Sequence, residues 1–131
     1  MRIWNTHLPT KVKYFGWLLY HGRFNTRASL HHKGIRAVED SCCVICTSVL
    51  ETQEHIFTEC PTASAVWVLV GATYHQDLCR TPWLIGDNLP LPSQVQLDVV
   101  LLIMWQIWKA RNAMIFDRQP STPSSIVQRV I

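Results

Sequence analysis

Val12, Phe15, Leu18 and Leu19 recur at the spacing of one helix face, with Trp17 beside them. This pattern predicts a helix that follows Pro9-Thr10, runs to about Tyr20 and is broken by Gly22. A second, short helix is predicted from Thr26 to Lys33. Asn25 or Thr26 can cap its start, and Gly34 suits the left-handed position past its end. His31 and His32 fall in its last turn, where positive charge complements the helix dipole. Pro61 suits a first helical position and opens a third helix carrying Ala63, Ala65, Val66, Trp67, Leu69 and Val70. Residues 76–93 read as loop, punctuated by Pro82, Gly86, Asp87, Asn88, Pro90 and Pro92. Ser93 and Gln96 have capping-box spacing, and a long helix is predicted over about 94–112. Its middle, Val99 to Trp105, is apolar on every side, as befits a central core helix. After Phe116 the pattern lapses into Gln119-Pro-Ser-Thr-Pro and restarts at Ser124 behind a Thr122 cap and Pro123. These elements predict a mostly α fold: a small helical domain over 1–117, a linker with a cut-short helix over 118–131, and at most a short hairpin near the cysteines.

Composition narrows the picture. A chain of 131 residues suits one domain that buries roughly two thirds of its unfolded surface. With 48% hydrophobic and 16% charged residues, disorder throughout is excluded. Met1–Lys13 lacks the apolar stretch of a secretory signal. The longest uninterrupted apolar run, Val99–Trp105, is short of the roughly 20 residues that cross a bilayer. Five cysteines, an odd number without an export signal, argue against a disulfide framework and for an intracellular chain, the nucleus included. The net charge of +3 divides unevenly, with +5 over residues 1–40 and −2 over the rest. Lys11, Lys13, Arg23, Arg27, Lys33 and Arg36 are therefore candidate contacts for the phosphates of RNA or DNA, or simply solvated charges.

One constellation carries chemistry. Cys43-Val-Ile-Cys46 is followed by His55 after eight residues and by Cys60 after four more. Zinc takes four tetrahedral ligands from thiolate and imidazole, and a Cys-x2-Cys turn aims two thiolates at one ion. His55 and Cys60 would stand about 140° apart on one α-helix, a poor arrangement for sharing a metal. Pro61 implies that Cys60 lies at a helix start with a bend before it, where free amides favour a thiolate. Three thiolates and one imidazole fill the tetrahedron, which points to one structural Zn2+ and no catalysis. Cys42 is an alternative to Cys43 at three-residue spacing, and His75 with Cys79 form a second pair too small to close a site.

These residues resemble a known family. Cys43–Cys46, Glu51-Thr52, His55-Ile56-Phe57, Cys60-Pro61 and Trp67 look like the CCHC zinc-binding domain attached to reverse transcriptases of plant LINE-type retroelements. The likeness extends upstream through Trp4, Leu8-Pro9, Lys11-Val12-Lys13, Phe15, Trp17, Thr26-Arg27, Leu30 and Lys33-Gly34-Ile35. Downstream it takes in Trp105, Ile107-Trp108-Lys109-Ala110-Arg111-Asn112 and Phe116, similar to the segment leading into a ribonuclease H domain. Val44 stands where proline is frequent, Thr47 where glycine is frequent, and Cys42 is extra.

The resemblance implies an accessory module between polymerase and nuclease that assists contact with RNA or DNA, with a protein scaffold or an inactive fragment as alternatives. No Asp-Asp pair is present for polymerase metals, and the carboxylates are too scattered for a ribonuclease H centre. Trp17, Trp105 and Trp108 fall among aliphatics at helical spacing, so they read as core before they read as platforms for bases.

Overall fold

A computed structural model describes residues 7–24, 26–35, 37–71 and 91–130. Helix α1 spans Thr10–His21, α2 Arg27–His32, α3 Pro61–Leu69, α4 Ser93–Asp117 and α5 Pro123–Gln128, with a 3-10 turn at Val38–Asp40 and a π-type turn at His55–Glu59. The fold is mostly α, as expected. Among the described residues the hairpin shrinks to one antiparallel bridge, Cys42 to Leu50.

Local chemistry accounts for the boundaries. Gly22 adopts a left-handed φ of 63° at the end of α1. Its N–H and that of Arg23 then return to the carbonyls of Leu19 and Leu18, at 3.1 and 3.0 Å, which satisfies groups the helix leaves free. Thr26 caps α2 by accepting the Ser29 N–H at 3.1 Å, and Thr122 caps α5 from Ser125 at the same distance. The helix already includes Ser93, so its N-cap is Pro92 and not the expected serine, and the Gln96 amide donates to the Leu91 carbonyl. At the other end α4 runs five residues past Asn112. Its apolar side chains keep contact with the core as far as Ala110, and it stops where Arg118 turns left-handed at φ 53°.

The core forms where α1, α3, α4, α5 and the π-type turn meet. Phe15 sits edge-on to Phe24, Phe57 and Trp105 at ring separations of 5.0, 5.7 and 5.3 Å, and Phe24 contacts Trp108 at 4.8 Å. Trp67 is wholly buried and its indole N–H donates to the Phe57 carbonyl at 2.7 Å, so its polar edge is not stranded. Trp105 and Trp108 pack on this core as predicted, but Trp17 does not: it stays half-exposed on the outer side of α1. Val100, Leu101, Ile103 and Met104 are fully covered, so the middle of α4 is the central helix. By length and mean hydropathy Val95–Asp117 could cross a bilayer, although its longest apolar run could not; here the other elements cover one side of it.

The segment read as a linker also contributes. Helix α5 packs against α3 and α4, burying Ile126 and bringing Val127 and Val130 onto the same core. Ile126→Ala is expected to cost about 2–5 kcal/mol, the usual penalty for such a cavity. Phe116→Ala, at a side chain 74% exposed, is expected to cost under about 0.5 kcal/mol. Urea denaturation of the zinc-loaded chain measures both.

Candidate metal centre

The chain reaches the centre through two local devices. The first is the tight turn Cys43–Cys46. Cys43 N–H donates to the Val49 carbonyl at 2.8 Å and Glu51 N–H to the Ser41 carbonyl at 3.0 Å, which clamps the arch on both sides of the Cys42–Leu50 bridge. Thr47 closes the turn, its N–H on the Cys43 carbonyl at 2.8 Å, with a φ of 56°. A β-branched residue rarely accepts that conformation, so the glycine common at this place in the resembling family has a steric reason.

The second device resolves the five-residue interval. Thr52 accepts the His55 N–H at 3.1 Å and so caps the turn that follows. From His55 onward the chain winds with i→i+5 hydrogen bonds, and Cys60 N–H reaches the His55 carbonyl itself at 2.7 Å. One wide turn therefore spans the interval between histidine and cysteine, where an α-helix would have separated them. Cys60 is then extended, φ −60° and ψ 137°, and Pro61 starts α3. The bend predicted from Pro61 is present, but it lies at Cys60, and the wide turn before it does the aligning.

Together these bring Cys43, Cys46, His55 and Cys60 into one cluster, their donor atoms all within 4.8 Å of one another. The sulfurs of Cys46 and Cys60 are 4.0 Å apart. Tetrahedral zinc with bonds of about 2.3 Å needs sulfurs about 3.8 Å apart, so the spacing fits the ion with little adjustment. His55 Nε2 is buried and has no hydrogen-bond partner in the protein, an orphan that a metal ion would satisfy. Cys42 is not among the converging donors, and its backbone carbonyl instead accepts from Arg27 at 2.9 Å. His75 and Cys79 lie outside the described residues.

Electrostatics point the same way. The Cys60 thiol, as hydrogen-bond donor, pulls the pKa of Cys43 well below the ordinary thiol value against the opposing effect of burial, helped by the amides of Cys46 and Ile45. Cys60 is pushed up, first by that same interaction with Cys43 and then by burial, although the Thr62 amide at the start of α3 favours its thiolate. Burial, then the charge of Cys43, raises Cys46. Three sulfurs crowded together thus hold one negative charge readily and resist more until a cation joins them.

A third group supports the centre without belonging to it. Glu51 is sealed from water, and its carboxylate accepts from the Arg27 backbone N–H at 3.1 Å, from Arg111 Nε at 3.1 Å and from a second, short bond to Arg111. This ties the start of α2 and the body of α4 to the arch that carries the cysteines. The Arg111 guanidinium also lies 4.8 Å from the Trp108 ring.

Of the six basic side chains considered for phosphate contact, Lys11, Arg23 and Lys33 are exposed and Lys13 is half-buried. Arg27 is placed differently from these. Its guanidinium is turned inward on the Cys42 carbonyl with Nε buried, because the arch needs a donor there. Arg36 lies outside the described residues.

Fold and site together define a helical module built on a Cys3His knuckle able to hold one zinc ion. The chain belongs to the family described as zinc-binding in reverse transcriptase, whose model matches residues 1–67. An Arabidopsis thaliana protein named as a ribonuclease H protein is 26% identical over 121 residues, covering 87% of this chain and 19% of its own length. The chain spans about a fifth of that relative. No solved structure matches.

Removing Arg111 leaves the Glu51 charge buried with only a backbone amide. Arg111→Met is expected to cost about 3–5 kcal/mol, and Glu51→Gln added to it should recover a large part of the loss. Chemical denaturation of the two variants, with zinc bound, measures this.

Proposed function

We propose that Cys43, Cys46, His55 and Cys60 bind one structural zinc ion in a non-catalytic module of a retroelement-derived reverse transcriptase protein. The convergence of those four donors around an unsatisfied imidazole nitrogen carries this reading. Bound there, zinc supplies a cross-link between the Cys43–Cys46 turn and the His55–Cys60 turn. With four protein donors no position is left for water or substrate. An apolar cavity of about 260 Å³ adjoins the knuckle, but its charged residues, Glu51 and Arg111, are paired with each other. An intracellular, reducing setting is part of the same proposal, since the thiols have to stay reduced to hold the metal.

The module assists sequence-independent contact with RNA or DNA through Lys11, Lys13, Arg23 and Lys33. Its first acidic residue is Glu39, so the whole segment before it is one-signed. A second reading, packing between polymerase and nuclease neighbours, has its own observation: Val68 and Phe116 are each 74% exposed and Leu69 is open as well.

Two measurements test the proposal. Cys46→Ser or His55→Ala is expected to lose bound zinc and the fold of residues 40–70. The lost binding energy, about 10–16 kcal/mol in small peptides, matches a whole domain's stability. Native metal content and melting in either variant would refute the ligand set. Affinity for duplex DNA is expected to fall with salt at a log–log slope of about −0.9 per phosphate contacted, hence between about −2 and −4 for these four side chains. No binding to RNA or DNA at low salt, or a flat response, removes the nucleic-acid part.

A further inference from the structure

Helix α1 has a second face that the core does not use. Val12, Phe15, Gly16 and Leu19 point inward and are buried. On the opposite side Tyr14, Trp17 and His21 follow at i, i+3 and i+7, the spacing of one continuous stripe. Tyr14 is 54% exposed, and its ring lies parallel to that of Trp17, 9° between planes and 6.0 Å between centres. His21 packs on Trp17 at 4.4 Å, and the exposed Tyr20 ring meets His21 at 5.1 Å.

The left-handed turn at Gly22 folds the chain back so that the Arg23 guanidinium comes to lie 5.7 Å from the Trp17 ring. Lys11, one turn before Tyr14, stands 6.0 Å from the Trp105 ring. The outward face of α1 is thus a row of flat rings flanked by cations.

Exposing rings costs solvation, and this helix already has a complete buried face without them. Charge identifies what covers the rings. Acidic side chains are absent from the sequence before Glu39, so the face complements a polyanion. A polyanion that also offers flat apolar surfaces is a nucleic acid with its bases unpaired. In a duplex those surfaces are already stacked on one another, leaving only the phosphates for the cations to meet.

We infer that the Tyr14–Trp17 face of α1, with Arg23 and Lys11 beside it, is a stacking platform for single-stranded nucleic acid. This rests on the nucleic-acid reading above and narrows it from any phosphate backbone to an unpaired strand. Stacking tolerates any base, so the platform is indifferent to sequence.

The test uses the full zinc-loaded chain with fluorescein-labelled oligouridine and oligothymidine of about twelve nucleotides, a length within the range that stacking modules occupy. A DNA duplex of the same length serves as comparison. Both single strands are expected to bind at least about fivefold tighter than the duplex. Tyr14→Ala, at an exposed side chain outside the core, should weaken the single strands about fivefold or more and leave the duplex unchanged; Tyr14→Phe, which keeps the ring, should restore them. Lys11→Ala should weaken strands and duplex alike.

Salt-dependent binding with no preference for single strands, or Tyr14→Ala without effect, overturns the platform and leaves the broader reading standing. No binding to strand or duplex at low salt overturns both.

Discussion

A carboxylate shut away from water has to find its counter-charge within the protein, and Glu51 finds it in Arg111, sixty residues downstream. That choice decides how the small metal arch sits on the rest of the fold. Glu51 also receives the first amide of α2, and its own backbone carbonyl accepts from Ala28. One residue therefore joins the start of α2, the arch and the long helix. Breaking such a pair by removing one partner is far more damaging than the net strength of the pair suggests, because the stranded charge cannot be hydrated.

The metal site depends on this joint. The Cys43–Cys46 turn is short, carries Thr47 in a disfavoured conformation and has a single bridge behind it. Such a turn is a poor scaffold by itself. It becomes one because Arg27 grips the Cys42 carbonyl from one side and Glu51 anchors the other limb to α4. The second pair of donors is better supported: Phe57 lies between His55 and Cys60 and is fully buried, so the wide turn is held in the core. Gln53 adds a bond from its amide to the Leu19 carbonyl at the end of α1.

Much of this could be read from residue order. The helices follow from period, caps and glycines, and the four donors from their spacing and chemistry. Most of what could not be read has one physical cause, which is separation along the chain. No local pattern distinguishes Glu51 from a surface carboxylate or Arg111 from a helix-end cation. Their pairing exists only once α4 has docked. Arg27 looked like a surface charge for the same reason, since its acceptor is a backbone carbonyl fifteen residues away. Trp17 was misplaced by a different effect: a large aromatic among aliphatics resembles core, yet a helix with one buried face has room for only some of its rings inside. The last helix reads as cut short, and nothing in the residue order signals that it packs: its place on the core rests on Ile126, whose partners lie far back along the chain.

The wide turn between His55 and Cys60 also bears on how the family's ligand interval should be understood. An i→i+5 turn amounts to an ordinary helical turn with one residue inserted, the surplus taken up as a bulge. Had the interval been one shorter, a regular helix could have presented both donors on one side, and Cys60 would have had no need of an extended backbone ahead of Pro61. The extra residue moves the cysteine off the helix that bears the histidine and onto the threshold of the next. An ion held by these donors would be shared between two successive helical turns, and its coordination would then help to set the angle at which they meet.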